Sequence, residues 1–175
     1  MDTKFSYRNE DDKSYGATGM AVAVMIFDGE DKLAYIDLDE TPDSMFHLTG
    51  DFYFAGNPGV SAKTAWNQIL SNFNLTMAMT IANVMCRRVV LDRLTMEDET
   101  RNALLTLLKE VGADSCQLED DETLRLFNKN YTYLHRVFNH YGVQSVVNDF
   151  AGELKRCRRM TRYDVIDHLR ALSSL

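Results

Sequence analysis

Only three cysteines occur in the 175 residues, Cys86, Cys116 and Cys157. They are odd in number, widely spaced and form no Cys-x-x-Cys pair, which excludes a disulfide framework and a zinc ribbon and points to a reducing compartment. Proline is nearly absent: Pro42 and Pro58 are the only two, and after Ser61 the chain carries only Gly112, Gly142 and Gly152 of its nine glycines. No run approaches the roughly 20 apolar residues of a membrane span, and Met1–Ser14 has no apolar signal core. The expectation is a cytoplasmic protein with no membrane segment. A chain of this length buries enough surface to be stable without a structural metal or a staple.

The turn-forming residues that do occur divide the chain into two styles. Residues 1–15 are polar and charged and read as a flexible tail, with a single α+β domain over 16–175. Within it, residues 16–60 read as a β meander of about three strands. Met20–Phe27 is apolar on both alternating faces, Asp28-Gly29-Glu30-Asp31 turns it into Leu33–Leu38, and Thr41-Pro42-Asp43 leads to Met45–Phe54 with Gly50 as a bulge.

Residues 61–175 read as a bundle of four or five helices. Ser61 caps a long helix to about Arg93 with Trp66, Leu70, Phe73, Met77, Ile81 and Val84 inward, so long that it must kink near Asn72 and Asn74 or protrude. Thr95 with Asp98 forms a capping-box pattern for a second helix ending before Gly112. Leu124, Phe127, Tyr131, Leu134, Phe138 and Tyr141 recur at alternating spacings of three and four and stop at Gly142, the most regular seam in the chain. Val143, Val147, Phe150, Leu154 and Cys157 continue it in a fourth helix. Thr161 with Asp164 caps a short last helix with Val165, Ile166, Leu169 and Leu172 inward.

Charge is scarce in neither sign but is segregated. The net charge is −7, yet residues 1–60 hold 12 acidic against 4 basic side chains, while residues 131–175 hold 7 basic against 4 acidic. Such blocks suit pairing within the chain or between subunits. The densest basic segment is Lys155, Arg156, Arg158, Arg159 and Arg162, the candidate ligand-binding residues for an anion or nucleic acid. No aromatic stacking platform accompanies them in the sequence.

Catalytic patterns are weak throughout. Asn57-Pro58-Gly59-Val60-Ser61-Ala62-Lys63-Thr64 has the strand-to-helix context of a phosphate-binding loop with both defining glycines replaced, and a capped helix after a proline-glycine turn explains it. Cys86 beside Arg87 and Arg88 could be an activated thiol, but the helix C-terminus disfavours a thiolate. Asp164 and His168, four apart, could share a metal without identified further ligands, and Glu119-Asp120-Asp121-Glu122 matches no calcium loop. No catalytic residue, cofactor or metal is assigned. The expected function is a non-enzymatic interaction protein that assembles with itself or a protein partner through its helical seams and charge blocks. The alternatives are anion or nucleic-acid recognition through 155–162, and a small-molecule enzyme with a site between the sheet and the long helix.

Overall fold

The first element among the described residues is a helix where the alternation of residues 20–27 predicts a strand. The computed structural model describes residues 6–53 and 61–174, and α1 spans Glu10–Ile26, so residues 10–15 of the expected tail belong to it. Asn9 caps it, its side chain accepting from the Asp12 amide at 2.9 Å, and Glu10, Asp11 and Asp12 sit in the favourable first turn. Ala17, Thr18, Gly19 and Ala21 to Met25 are all buried, so the helix is covered on every side. A fully buried helix has no polar stripe and shows the same continuous apolar run as a doubly covered strand, which is why the two cannot be told apart by periodicity.

The Asp28–Asp31 segment ends α1 instead of joining two strands. Asp28 takes a left-handed conformation, φ 53°, and the Gly29 amide closes on the Val24 carbonyl at 2.8 Å. A 3-10 turn, Glu30–Lys32, then leads into β1, Leu33–Asp37, and β2, Phe46–Leu48, pairs antiparallel with it. The turn at Thr41 closes with the Ser44 amide on the Thr41 carbonyl at 3.0 Å. Gly50 opens a four-residue helix, α2, Gly50–Tyr53, so it is no bulge in a longer strand; the sheet irregularity falls between Leu33 and Tyr35. Phe54 and the first part of the phosphate-loop-like segment, Asn57 to Val60, lie outside the described residues.

The sheet is three-stranded and antiparallel, but its third strand comes from the far end of the chain. Its order is β2-β1-β3, with β3 formed by Arg159–Thr161 and the register Tyr35 to Thr161, Ile36 to Met160 and Asp37 to Arg159. The architecture is α+β, with seven α-helices among the described residues.

The long helix α3, Ala62–Met85, is capped by Ser61 as the sequence indicates, the Thr64 amide donating to Ser61 Oγ at 3.2 Å. It runs without a break past Asn72 and Asn74, whose side chains bond the Phe52 carbonyl and Asn130. Its irregularity is a π-helical segment, Cys86–Leu91. The first turns protrude: residues 61–64 are exposed and Trp66 is 40% exposed, so the buried stripe starts later than the apolar spacing implies. Among the described residues Ala62–Leu91 is the one helix long and apolar enough to cross a membrane, contrary to the expectation of no such stretch; 56% of its apolar window is buried inside the fold. It packs against α1 closely enough that a Cβ on Gly19 would lie 2.3 Å from the Ala82 carbonyl oxygen. Glycine is required there by contact.

Helix α4, Asp98–Cys116, runs through Gly112 rather than stopping before it, and starts from Glu97 without the Thr95 side-chain cap. Gly112 faces inward, where an added Cβ would meet Phe73 Cζ at 2.9 Å; the helix stops at Gln117 in a left-handed conformation. Helix α5, Asp120–Asn139, buries Phe127, Leu134 and Phe138 as the seam predicts, and α6, Tyr141–Cys157, buries Val143, Val147, Phe150 and Leu154. The break between them is at His140, so Tyr141 leaves the seam and is 86% exposed; Cys157 is exposed too. Helix α7, Arg162–Leu169, carries the Thr161–Asp164 capping box.

Candidate functional site

Four helices end on a non-glycine residue at positive φ, and one of these ends builds the largest cleft described. After the π-helical segment the chain turns through Arg93 at φ 55°, with the Leu94 amide closing on the Arg88 carbonyl at 2.9 Å. The elbow between α5 and α6 faces this turn. Between them lies a groove of about 650 Å³. Its floor is Val89 and Val90; Arg93, Leu94 and Thr95 form one wall, and His135, Asn139, Tyr141, Gln144, Ser145 and Asn148 the other. That volume falls within the roughly 300–1,000 Å³ usual for small-ligand sites.

No carboxylate lines the groove, and among the described residues Arg93 makes no ion pair. The wall opposite it holds the start of α6, which has no acidic residue in its first turn and no side-chain cap, so its amides present the positive end of a helix dipole. Tyr15 from α1 underlies the site, its hydroxyl donating to Asn148 Oδ1 at 2.8 Å. Burial pushes its phenol upward, and the nearby Arg93 charge pulls it down. Arg93 is the one permanently charged side chain that lines the groove.

A second cleft of about 270 Å³ opens on the other side of the π-helical segment. Its centre is a buried ion pair: Arg87 donates through Nε and NH2 to Asp12 at 2.8 and 2.5 Å, and NH2 also donates to the Ser6 carbonyl at 2.8 Å. Arg8 adds a bond from its amide and another from its guanidinium to the same carboxylate and reaches Asp92 at 2.9 Å. Tyr7 covers the Arg87 guanidinium at 4.7 Å. Burial pushes the Asp12 carboxyl upward, but the bonds from Arg87 and Arg8 outweigh it and hold the group well below the usual carboxylate range. Arg88 pairs with Glu97. These charges neutralise one another, unlike Arg93. Where the long helix faces the entry to the sheet, the space between Asp28, Lys32, Asn72 and Leu75 is about 80 Å³. That is well below the roughly 300–1,000 Å³ usual for small-ligand sites.

The five basic residues singled out in the sequence are brought to separate partners. Lys155 meets Asp11 at 2.6 Å, and Arg158 meets Glu10 at 2.7 Å and Asp39 at 2.7 Å, tying the end of α6 to the start of α1 and to the β1–β2 turn. Arg156 pairs with Glu153 on its own helix and holds that carboxyl down at about 2. Arg159 lies on the sheet, 4.3 Å over the Tyr35 ring and 3.6 Å from Asp37, with His47 stacked at 4.0 Å on Tyr35. Arg162 lies 5.0 Å over the exposed Tyr163 ring. None of the five lines the clefts above.

Cys86 is fully buried; burial pushes its thiol up, and neither the Arg87 charge nor the Gly19 amide reverses this. Asp164 is committed to the α7 cap, and His168 stands edge-on to Phe150. Among the described residues no group of three or more metal-ligating side chains forms. The Glu119–Glu122 run forms a capping box at the start of α5. Sequence reasoning missed the groove, because its walls come from segments some 40 residues apart with no shared spacing. Comparison with protein-family models, curated proteins and solved structures finds no match for this chain.

Proposed function

We propose that this protein is a non-enzymatic binding protein that takes a small anionic ligand into the groove between the Arg93 turn and the α5–α6 elbow. The observation that carries the reading is Arg93 itself. It occupies the position after a helix C-terminus where glycine is the usual residue, and a non-glycine side chain in that conformation costs about 1–2 kcal/mol. The residue spends this strain on an unpaired charge facing a groove without carboxylates. Among the described residues no hydrogen bond joins His135 to Ser145 or Thr95, so the groove shows no assembled hydroxyl nucleophile and base. Three free thiols fit a cytoplasmic setting.

Arg93→Gly is expected to abolish binding of phosphate, sulfate and carboxylate probes while raising the unfolding free energy by about 1 kcal/mol, and Arg93→Gln to abolish binding at little change in stability. Calorimetric titration and urea denaturation of the two variants check this. Equal anion binding by parent and variants, or none by the parent, would overturn the reading.

A second reading, assembly with another copy of the chain, draws support from the protruding start of α3. There the 71% exposed Tyr53 lines an apolar recess with Phe52, Ile69, Phe73 and Val111, and the exposed Trp66 lies one helical turn before Ile69 on α3. An exposed aromatic surface of this kind is the usual core of a protein interface. Sedimentation equilibrium is the check: a parent dimer converted to monomer by Trp66→Ala supports assembly, and a parent that is monomeric at tens of micromolar removes it.

A further inference from the structure

The groove does more than present a cation, because each of its three amide side chains is held at one end by the protein. Asn139 Nδ2 donates to the His135 carbonyl at 2.7 Å, leaving Oδ1 free. Gln144 Nε2 donates to the Phe138 carbonyl at 2.8 Å, leaving Oε1 free. Asn148 is held the other way round: its Oδ1 accepts from the Tyr15 hydroxyl, leaving Nδ2 as a donor. Oriented polar groups fixed by a supporting bond are what distinguish a preorganised site from a merely polar surface.

Two fixed carbonyl oxygens on the wall opposite Arg93 are acceptors that a bare anion leaves unused. They suit a ligand that carries N–H or O–H groups a few ångströms from its charge. The volume of about 650 Å³ leaves room for a ring in addition to an anionic group. At the rim stands the Tyr141 ring, 86% exposed, a flat apolar face on which a base or the C–H face of a sugar can stack.

We infer that the occupant is a phosphate monoester of a ring bearing hydrogen-bond donors, as in a nucleoside monophosphate or a sugar phosphate. The phosphate lies toward Arg93 and the α6 N-terminus, the donors toward Asn139 and Gln144, and the ring against Tyr141. This rests on the anion-binding reading of the same groove and adds the chemistry of the rest of the ligand.

The test is calorimetric titration of the full chain with adenosine, guanosine, cytidine and uridine monophosphates, ribose 5-phosphate, glucose 6-phosphate, adenosine and inorganic phosphate. At least one ester is expected to bind about ten-fold or more tighter than both inorganic phosphate and adenosine. Asn139→Ala and Gln144→Ala, each with the thermal midpoint of the parent, are each expected to weaken that ester about five-fold and leave inorganic phosphate unchanged. Tyr141→Ala distinguishes the sources: a loss confined to the nucleotides identifies base stacking, and an equal loss for nucleotides and sugar phosphates identifies stacking on the sugar. Esters that bind no better than inorganic phosphate, with the amide variants silent, overturn this inference and leave anion binding standing. Absence of binding by every phosphate, inorganic phosphate included, removes both.

Discussion

Replacing Asp12 by alanine is expected to lower the unfolding free energy by about 3–5 kcal/mol, a large fraction of the roughly 5–15 kcal/mol of an ordinary domain. The size follows from what would remain. The Arg87 side chain is buried and directs two of its donors at this carboxylate, so removing Asp12 takes the ion-pair partner from a desolvated cation that otherwise meets the neutral Ser6 and Asn83 oxygens and the Tyr7 ring. Replacing both members by apolar residues of similar size, Asp12→Leu with Arg87→Met, is expected to recover much of the loss, because the pair itself gains little over a packed apolar contact. The pH dependence has a definite sign. The carboxyl is held below its unfolded value, so its contribution is complete above about pH 4 and is lost as the pH falls through the lower folded-state value. Asp12→Asn should therefore lose part of the acid limb of the parent's stability profile. Urea denaturation between pH 2 and 7 checks both points; an Asp12→Ala variant within about 1 kcal/mol of the parent would show that the pair is not desolvated in solution.

Phe127→Ala is expected to cost about 3–5 kcal/mol and Leu134→Ala about 2–5 kcal/mol, since both side chains are fully inaccessible and their removal leaves cavities between α5 and its neighbours. Tyr141→Ala supplies the contrast. It shares their sequence spacing but is solvent-exposed, and its loss should fall within about 0.5 kcal/mol of the parent. Denaturant midpoints for the three variants test the register of α5 and the position of the break at His140. A Tyr141→Ala variant as unstable as Phe127→Ala would mean that the seam continues through the elbow.

The contrast between these residues shows how much of the fold could be read beforehand. Helices with one buried stripe were legible: Phe127, Leu134 and Phe138, then Val143, Val147, Phe150 and Leu154, recur at helical spacing because only one face meets the core. The capping side chains of Ser61 and Thr161 were legible for a local reason, as each bonds an amide three residues on. Helix α1 was not, because burial on all sides removes the polar face that would reveal its period. Asn9, with the three acidic residues after it, was the available signal. The end of α4 is misplaced in the sequence reading, since glycine is the expected punctuation and the helix instead runs through Gly112, which serves close packing, to Gln117 at positive φ. β3 is three residues of a basic run, and only its pairing with β1 makes it a strand. The basic segment was visible as charge, but the acidic groups that meet it lie in α1 and in the β1–β2 turn. The groove was invisible for the same reason: nothing local says that Arg93 lacks a partner or that the α5–α6 elbow faces it.

The pairing of β1 with β3 sets an order of events during synthesis. The strand Leu33–Asp37 leaves the ribosome early, while Arg159–Thr161, its partner on one edge, is made more than a hundred residues later. At about 5–20 residues per second, that edge stays unpaired for several seconds or more. Helix α1 is covered first by α3, made some tens of residues after it, and its remaining faces wait for α6 and α7. The sheet therefore closes only when the C-terminal segment has been made. That edge of β1 is among the first parts made and the last to be paired, and until β3 arrives it is an exposed template for mispairing.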